Sequence, residues 1–114
     1  MTQSRIDQLR ELLDLDPDDH TLHYMIGLEY LEGGRFEEGI VHLEKYLEVE
    51  ENAKGDVGAC LGRLAEAYRE TGRIEESIQA YRRGIQSAVE HQHADLRNEL
   101  TAARQALQAG SGRP

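Results

Sequence analysis

Five histidines and one cysteine are the side chains of this 114-residue chain with the most evident capacity for metal binding or catalysis. His20 and His23 are three residues apart, so on a helix both could bind one metal ion, with Asp18 or Asp19 nearby. Catalytic zinc sites ordinarily use three protein ligands in a fixed geometry, and this spacing specifies no third one. A structural role accounts for both residues, since one histidine would lie in a capping turn and the other would be partly buried. We therefore expect that the protein binds no metal and no cofactor.

The other candidates for catalysis have structural explanations. His91 and His93 are two residues apart, a spacing that a helix would point to different sides. Cys60 has no neighbour placed to activate it and is expected to be a small interior residue. The carboxylate pairs at 37–38 and 75–76 fall in the first turns of predicted helices, where acidic side chains are favoured. Because a phosphate-binding glycine loop is also missing from the sequence, we predict that the protein is not an enzyme.

The composition excludes several classes of partner. The formal net charge of -9 would repel both a nucleic-acid backbone and an anionic membrane surface. No apolar run approaches the roughly 20 residues that span a bilayer. A single cysteine, and an N-terminus without the apolar core of a signal peptide, predict a cytoplasmic protein.

Apolar residues recur at helical spacing in six segments, so the chain is predicted to be all-α. The first segment spans residues 4–15 and ends at an Asp-Pro turn, after which Asp18 or Asp19 caps the second helix. Glycines at 33–34 and at 72 end the second and fourth helices in the left-handed conformation. The sixth helix carries a narrow apolar stripe that suits a terminal cap: Leu96, Leu100, Ala103 and Leu107.

The chain contains an internal repeat. The sequence GRFEEGI at 34–40 returns as GRIEESI at 72–78, at the same place in a larger pattern. A repeat of this length indicates stacked helix hairpins, which favours a scaffold or binding surface over a buried catalytic site.

The first helix of each repeat carries a recurring set of residues: Ile26-Gly27 with Tyr30, and Leu64-Ala65 with Tyr68. With the glycine turn that follows, these residues resemble the tetratricopeptide repeat family, in which each repeat is two antiparallel helices. The resemblance implies an all-α, right-handed superhelix of antiparallel helix hairpins with a C-terminal capping helix. It also implies that four small residues lie where the two helices of a hairpin cross closely: Gly27, Ala65, Gly39 and Ser77. The length of the chain predicts one domain, over residues 1–108, and the tail at 109–114 is predicted to be disordered. The parts of that domain are a half repeat at 4–17, full repeats at 19–51 and 57–90, and the capping helix at 93–108.

In the family, the first helix of each repeat lines a concave groove that binds peptides. By register, that groove would contain Thr21, Tyr24, Leu28 and Leu31 from the first repeat, and Ala59, Gly62, Arg63, Glu66 and Arg69 from the second. The half of this groove from the first repeat is apolar, and the half from the second repeat is charged. The resemblance therefore implies a protein or peptide partner with an apolar anchor and an acidic end. The alternative is a structural role, in which the groove or an edge mediates homo-oligomerisation within a larger assembly.

Overall fold

The structure is a computed structural model that describes residues 2–50 and 57–111, with the side chains of residues 5–48 and 57–110. These ranges contain six helices and no strand, so the all-α prediction is confirmed. None of the described helices is both long and apolar enough to cross a bilayer. The helices are α1 Thr2–Leu15, α2 His20–Glu32, α3 Phe36–Glu50, α4 Val57–Glu70, α5 Ile74–Glu90 and α6 Ala94–Ser111.

The chain divides into two compact units, residues 1–53 with α1 to α3 and residues 54–114 with α4 to α6. Each unit has a core of its own, which accounts for the division, and the single domain expected over residues 1–108 stays a prediction. In the first unit α2 packs against both α1 and α3, and in the second α5 packs against both α4 and α6. The core between α1 and α2 consists of Ile6, Leu9, Ile26 and Tyr30.

The start of α2 is set by a side-chain cap. Asp19 has an extended backbone, and its carboxylate accepts a hydrogen bond from the Leu22 backbone N–H at 3.0 Å. This bond satisfies one of the amide groups that the first turn of a helix leaves without a partner. The predicted cap is confirmed, and it lies at Asp19 rather than Asp18.

The repeated heptapeptide forms the same turn in both units. Gly34 and Gly72 have φ angles of +77° and +79°, in the left-handed region that glycine enters without steric cost. Gln92 occupies the corresponding place between α5 and α6 with φ of +60°. A non-glycine residue is uncommon in this region of φ. The third turn therefore has the same backbone shape as the first two, but without the glycine that best fits it.

An arginine after each glycine closes the turn. In the first unit the Arg35 backbone N–H donates to the Tyr30 carbonyl at 2.8 Å, and its guanidinium carbon lies 4.8 Å from the centre of the Tyr30 ring. The same guanidinium donates to the Glu38 carboxylate. The second unit repeats this arrangement with Arg73, Tyr68 and Glu76. The near-identity of the two heptapeptides is therefore structural.

The two helices of each hairpin cross at small residues, as predicted. A Cβ atom at Gly39 would lie 2.5 Å from Leu31 Cδ2 and 3.1 Å from the Gly27 carbonyl oxygen. In the second unit the buried Ser77 hydroxyl donates to the Ala65 carbonyl oxygen at 2.7 Å. Larger side chains at these places would separate the backbones, because protein interiors are close-packed.

The capping helix packs its leucines onto glycines. Cβ atoms at Gly62 and Gly84 would lie 2.8 and 2.9 Å from the two terminal methyl carbons of Leu100. A Cβ atom at Gly58 would lie 3.1 Å from Leu96 Cδ2. Leu96 packs on Gly58, and four residues further along both helices Leu100 packs on Gly62. The two helices therefore run in the same direction, so α6 is parallel to α4.

The capping helix is longer than predicted. It continues to Ser111, so residues 109–111 of the predicted disordered tail are helical. Extending a formed helix fixes only one residue for each hydrogen bond gained, which favours these additional residues joining the helix. Gly110 lies in this extension, and a Cβ atom added there would have nothing within 4 Å. Residues 112–114 lie outside the described residues.

Candidate functional site

The first candidate surface is the face of α4 that α5 leaves uncovered. Ala59, Arg63, Glu66 and Arg69 follow one another at intervals of three or four residues, so they share one face of the helix. Ala59 and Arg63 are partly exposed, and Glu66 and Arg69 are exposed. Four of the five predicted residues of the second repeat therefore lie together on an accessible face.

Gly62 is the fifth predicted residue, and it does not contribute to this face. It is buried beneath Leu100 of the capping helix. The family register places this position in an open groove, but α6 approaches α4 closely there because glycine has no side chain. The missing side chain at Gly62 lets the capping helix pack against α4, so Gly62 is not placed to contact a partner.

Arg63 carries a polar group that the described residues do not satisfy. Its Nε atom is buried and has no hydrogen-bond partner among them, and the Nε atom of Arg104 on α6 is also buried without a partner there. Buried polar groups are normally hydrogen-bonded, because losing water without gaining a partner costs free energy. The Arg63 side chain is partly exposed as a whole, so its guanidinium can also pair with an acidic group of a partner.

The α2 face in the first unit is more closely packed than its sequence suggests. Tyr24 stacks on Tyr46 of α3 with ring centres 4.6 Å apart, and Leu31 packs its terminal carbons toward Gly39. Leu28 is partly exposed and Thr21 is exposed. Tyr24 and Leu31 therefore pack within the α2–α3 hairpin as well as contributing to its surface. Leu28 is the better position at which to test binding.

Charge is distributed unevenly between the two units. Residues 1–53 contain fourteen acidic and four basic side chains, a formal charge of -10. Residues 54–114 contain eight acidic and nine basic side chains, a formal charge of +1, and the two values give the -9 of the chain. The overall acidity therefore belongs to the first unit, and the second can attract carboxylates.

Two histidines form a hydrogen-bonded pair inside the first unit, which the sequence analysis missed. The Nδ1 atoms of His23 and His42 are 3.0 Å apart, and His23 Nε2 is 3.0 Å from the Pro17 carbonyl oxygen. A carbonyl oxygen only accepts, so His23 Nε2 carries the hydrogen and its Nδ1 accepts from His42 Nδ1–H. The ring of His42 also stacks on Tyr30, which accepts a hydrogen bond from Arg10 at 2.6 Å.

His20 and His23, the pair that the sequence offered as metal ligands, lie in a setting that lacks a third ligand among the described residues. His20 and His23 line a cavity of about 210 Å³ with Asp18, Lys45 and Glu48. The lysine ammonium adds a positive charge that opposes a cation, and both nitrogens of His23 have hydrogen-bond contacts. Among the described residues no group of three histidine, cysteine or acidic side chains is placed to hold an ion.

His42 makes the first unit sensitive to acid. Burial lowers the pKa of His42 from 6.5 to about 4, and repulsion from His23 and Arg10 adds to the effect. This pKa is lower in the folded state than in the unfolded state. The contribution of His42 to the free energy of unfolding is therefore present above pH 6.5 and is lost as the pH falls toward 4. We expect that loss to be about 1–2 kcal/mol, which allows for solvent screening of a partly exposed ring.

This expectation is tested by urea denaturation of the wild-type protein and a His42→Asn variant at pH 7 and pH 4.5. Asparagine can donate a hydrogen bond to His23 Nδ1 but does not titrate. The stability of the His42→Asn variant should therefore fall less than that of the wild type between the two pH values. The exposed His93→Asn variant controls for removal of a histidine and should follow the wild type. Equal losses in all three proteins would contradict the assignment, because carboxylates would then account for the whole effect.

His91 and His93 lie closer together than their helical spacing predicts. Their ring centres are 6.2 Å apart, because α5 ends at Glu90 and the chain turns at Gln92. His91 Nδ1 is 2.9 Å from the Ser87 carbonyl oxygen, which fits a hydrogen bond that closes the helix end. The expectation that these rings point apart is wrong, since it assumes a helix where there is a turn.

A second surface, which we call the α6 groove, was not predicted at all. It has a volume of about 520 Å³ and lies within the second unit. The sequence indicated only that the apolar stripe of α6 continues to Leu107, which is also what a cap requires. The groove is lined by Arg69, Ile74, Ala103, Ala106, Leu107 and Gly110.

Comparison with known proteins agrees with this geometry. The family model of the tetratricopeptide repeat matches residues 20–52 and 59–88, which together make up more than half of the chain. The chain belongs to the tetratricopeptide repeat family. The two matched segments correspond to the α2–α3 and α4–α5 hairpins.

Solved structures share the fold of this tetratricopeptide repeat protein. It is similar to the crystal structure of MamA protein, with a TM-score of 0.68 and 15% sequence identity. The match covers 96% of this chain and 63% of the MamA chain, so the protein spans less than two thirds of that chain's length. A search of curated proteins returned no match. Repeats of this family generally mediate protein–protein interaction and scaffolding.

Proposed function

We propose that this tetratricopeptide repeat protein is a non-catalytic, cytoplasmic interaction module that binds a segment of a partner protein. The carrying observation is the partly exposed Arg63 on the face of α4 that α5 leaves uncovered, whose Nε has no hydrogen-bond partner in the part of the chain that the structure describes. Arg69 lies on the same face, and its contact with the neighbouring Glu70 at 3.2 Å is an exposed pair of little energetic weight. This face therefore favours an acidic segment.

The partner segment in this proposal also carries an apolar side chain. Leu28 and Tyr24 on α2 are partly exposed apolar positions in the first unit, where acidic side chains dominate elsewhere. Interfaces commonly combine an apolar anchor with polar groups that set its orientation. Thr21, Leu31, Ala59 and Glu66 complete the proposed contact residues, and Gly62 is no longer among them.

The proposal is tested by selecting binders from a random peptide library and measuring their affinity by fluorescence anisotropy. We expect the selected peptides to be rich in acidic residues next to a large apolar one. Arg63→Ala should weaken binding about tenfold or more, because a hydrogen bond to a charged group contributes about 1.5–3 kcal/mol. Leu28→Ala should weaken it less.

Arg82→Ala is the matched control, since Arg82 is an exposed arginine on α5. It should leave the affinity unchanged, and circular dichroism should confirm that each variant is folded. Selection of basic peptides would overturn the proposal. So would an Arg63→Ala variant that binds as tightly as Arg82→Ala.

A further inference from the structure

The end of α1 exposes two leucines in an acidic setting. Leu12 and Leu15 are 51% and 84% exposed, and their spacing of three residues places them on one side of the helix. Leu15 is the most exposed of the large apolar side chains among the described residues. Around them lie four exposed carboxylates: Glu11, Asp14, Asp16 and Asp18. We call these six residues the acidic corner.

The helix end adds to the negative charge of the acidic corner. α1 ends at Leu15, and its last turn contains no basic residue. The unsatisfied carbonyl groups at a helix C-terminus carry a partial negative charge that favours arginine or lysine nearby. Exposed leucines beside carboxylates match a surface that is apolar and also carries an arginine.

The α6 groove in the second unit is such a surface. Ile74, Ala103, Ala106 and Leu107 give it an apolar lining, and Arg69 also lines it. The groove volume of about 520 Å³ is in the range of pockets that enclose small ligands, so it can accommodate leucine side chains.

We propose that the α6 groove of one chain binds the acidic corner of a second copy, so that the chains associate head to tail. Leu12 and Leu15 enter the apolar part of the groove, and the surrounding carboxylates lie near Arg69. The opposite formal charges of the two units, -10 and +1, favour this pairing over contacts between like units. The proposal goes beyond the partner-binding function and shares only Arg69 with it.

Such an interface is heterologous, because different surfaces of the two copies meet. Each copy keeps one free groove and one free acidic corner, so association continues with rising concentration. The contact is small and rests on two leucines and a few charges, which predicts a transient interface rather than an obligate one. Added salt should weaken it by screening the exposed charges.

The test is sedimentation velocity of the full chain over a range of concentrations. The average mass should rise with concentration in the wild type, and the rise should be smaller in high salt. Leu12→Ser/Leu15→Ser should stay monomeric, as should Ala106→Glu, which places a carboxylate in the groove. Ala102→Glu makes the same charge change at an exposed position of α6 that does not line the groove, and it should associate like the wild type.

Mixing the two monomeric variants separates head-to-tail pairing from other arrangements. Ala106→Glu keeps an intact acidic corner and the double serine variant keeps an intact groove, so a 1:1 mixture should form dimers and nothing larger. A wild-type protein that stays monomeric overturns the proposal. A mixture that fails to dimerise, or equal effects of Ala106→Glu and Ala102→Glu, also overturns it. No variant touches Arg63 or Arg69, so these outcomes leave the peptide-binding proposal to its own test.

Discussion

Replacing Gly39 by valine is expected to destabilise the first unit by about 3 kcal/mol, the upper part of the usual range for overpacking a core. A Cβ atom there would lie 2.5 Å from Leu31 Cδ2 and 3.1 Å from the carbonyl oxygen of Gly27. The end of the leucine side chain could rotate away, but the backbone of α2 could move only by opening the hairpin. Urea denaturation followed by circular dichroism measures the loss.

Gly110→Val is the control for this substitution, because it makes the same change on a helix. A Cβ atom at Gly110 would have nothing within 4 Å, and valine has a higher helix propensity than glycine. The control should therefore leave stability unchanged or raise it slightly. Similar losses for the two variants would mean that the close crossing of α2 and α3 does not limit side-chain size.

Replacing Leu100 by alanine is the second substitution with a large expected effect, about 3 kcal/mol in the second unit. Leu100 is 5% exposed, and its two terminal methyl carbons occupy the space that Gly62 and Gly84 leave open. Alanine would leave a cavity that the surrounding helices cannot close without tilting α6. Because α6 contacts α4 over a short stretch only, we expect the capping helix to open before the rest of the unit.

Hydrogen exchange of the backbone amides distinguishes this opening from a general loss of stability. Exchange should accelerate most across residues 94–111, and less across α4 and α5. Val89→Ala removes methyl groups from a side chain in the same unit that is 56% exposed, and it should change exchange little. Uniform acceleration across the second unit in the Leu100 variant would contradict a separate opening of the cap.

The fold was predictable from local signals. Asp19, Gly34 and Gly72 act within a few residues of themselves, so a single sequence specifies the cap and both turns. The glycine and serine at the hairpin crossings were also predictable, because they occupy the small positions of the family pattern. These features depend on the spacing within one hairpin, which the sequence states directly.

The candidate site was less predictable because it depends on contacts between distant segments. His42 is nineteen residues from His23, and nothing in the pattern of either helix pairs them. Gly62 appears in the family register as a surface residue, yet Leu100 covers it. Arg63 was predicted as a surface charge, but the burial of its Nε follows from packing that composition and spacing do not encode.

The central claim is that a partner segment binds the face of α4 that α5 leaves uncovered, and chemical-shift mapping tests it most directly. The ¹⁵N-labelled protein would be titrated with a peptide from the library selection, at a concentration where sedimentation finds only monomer. We predict that the largest shifts occur at Arg63, Glu66 and Arg69, while Arg82 on α5 stays unchanged. Largest shifts on α5, or shifts confined to residues 103–110 of α6, would contradict the claim.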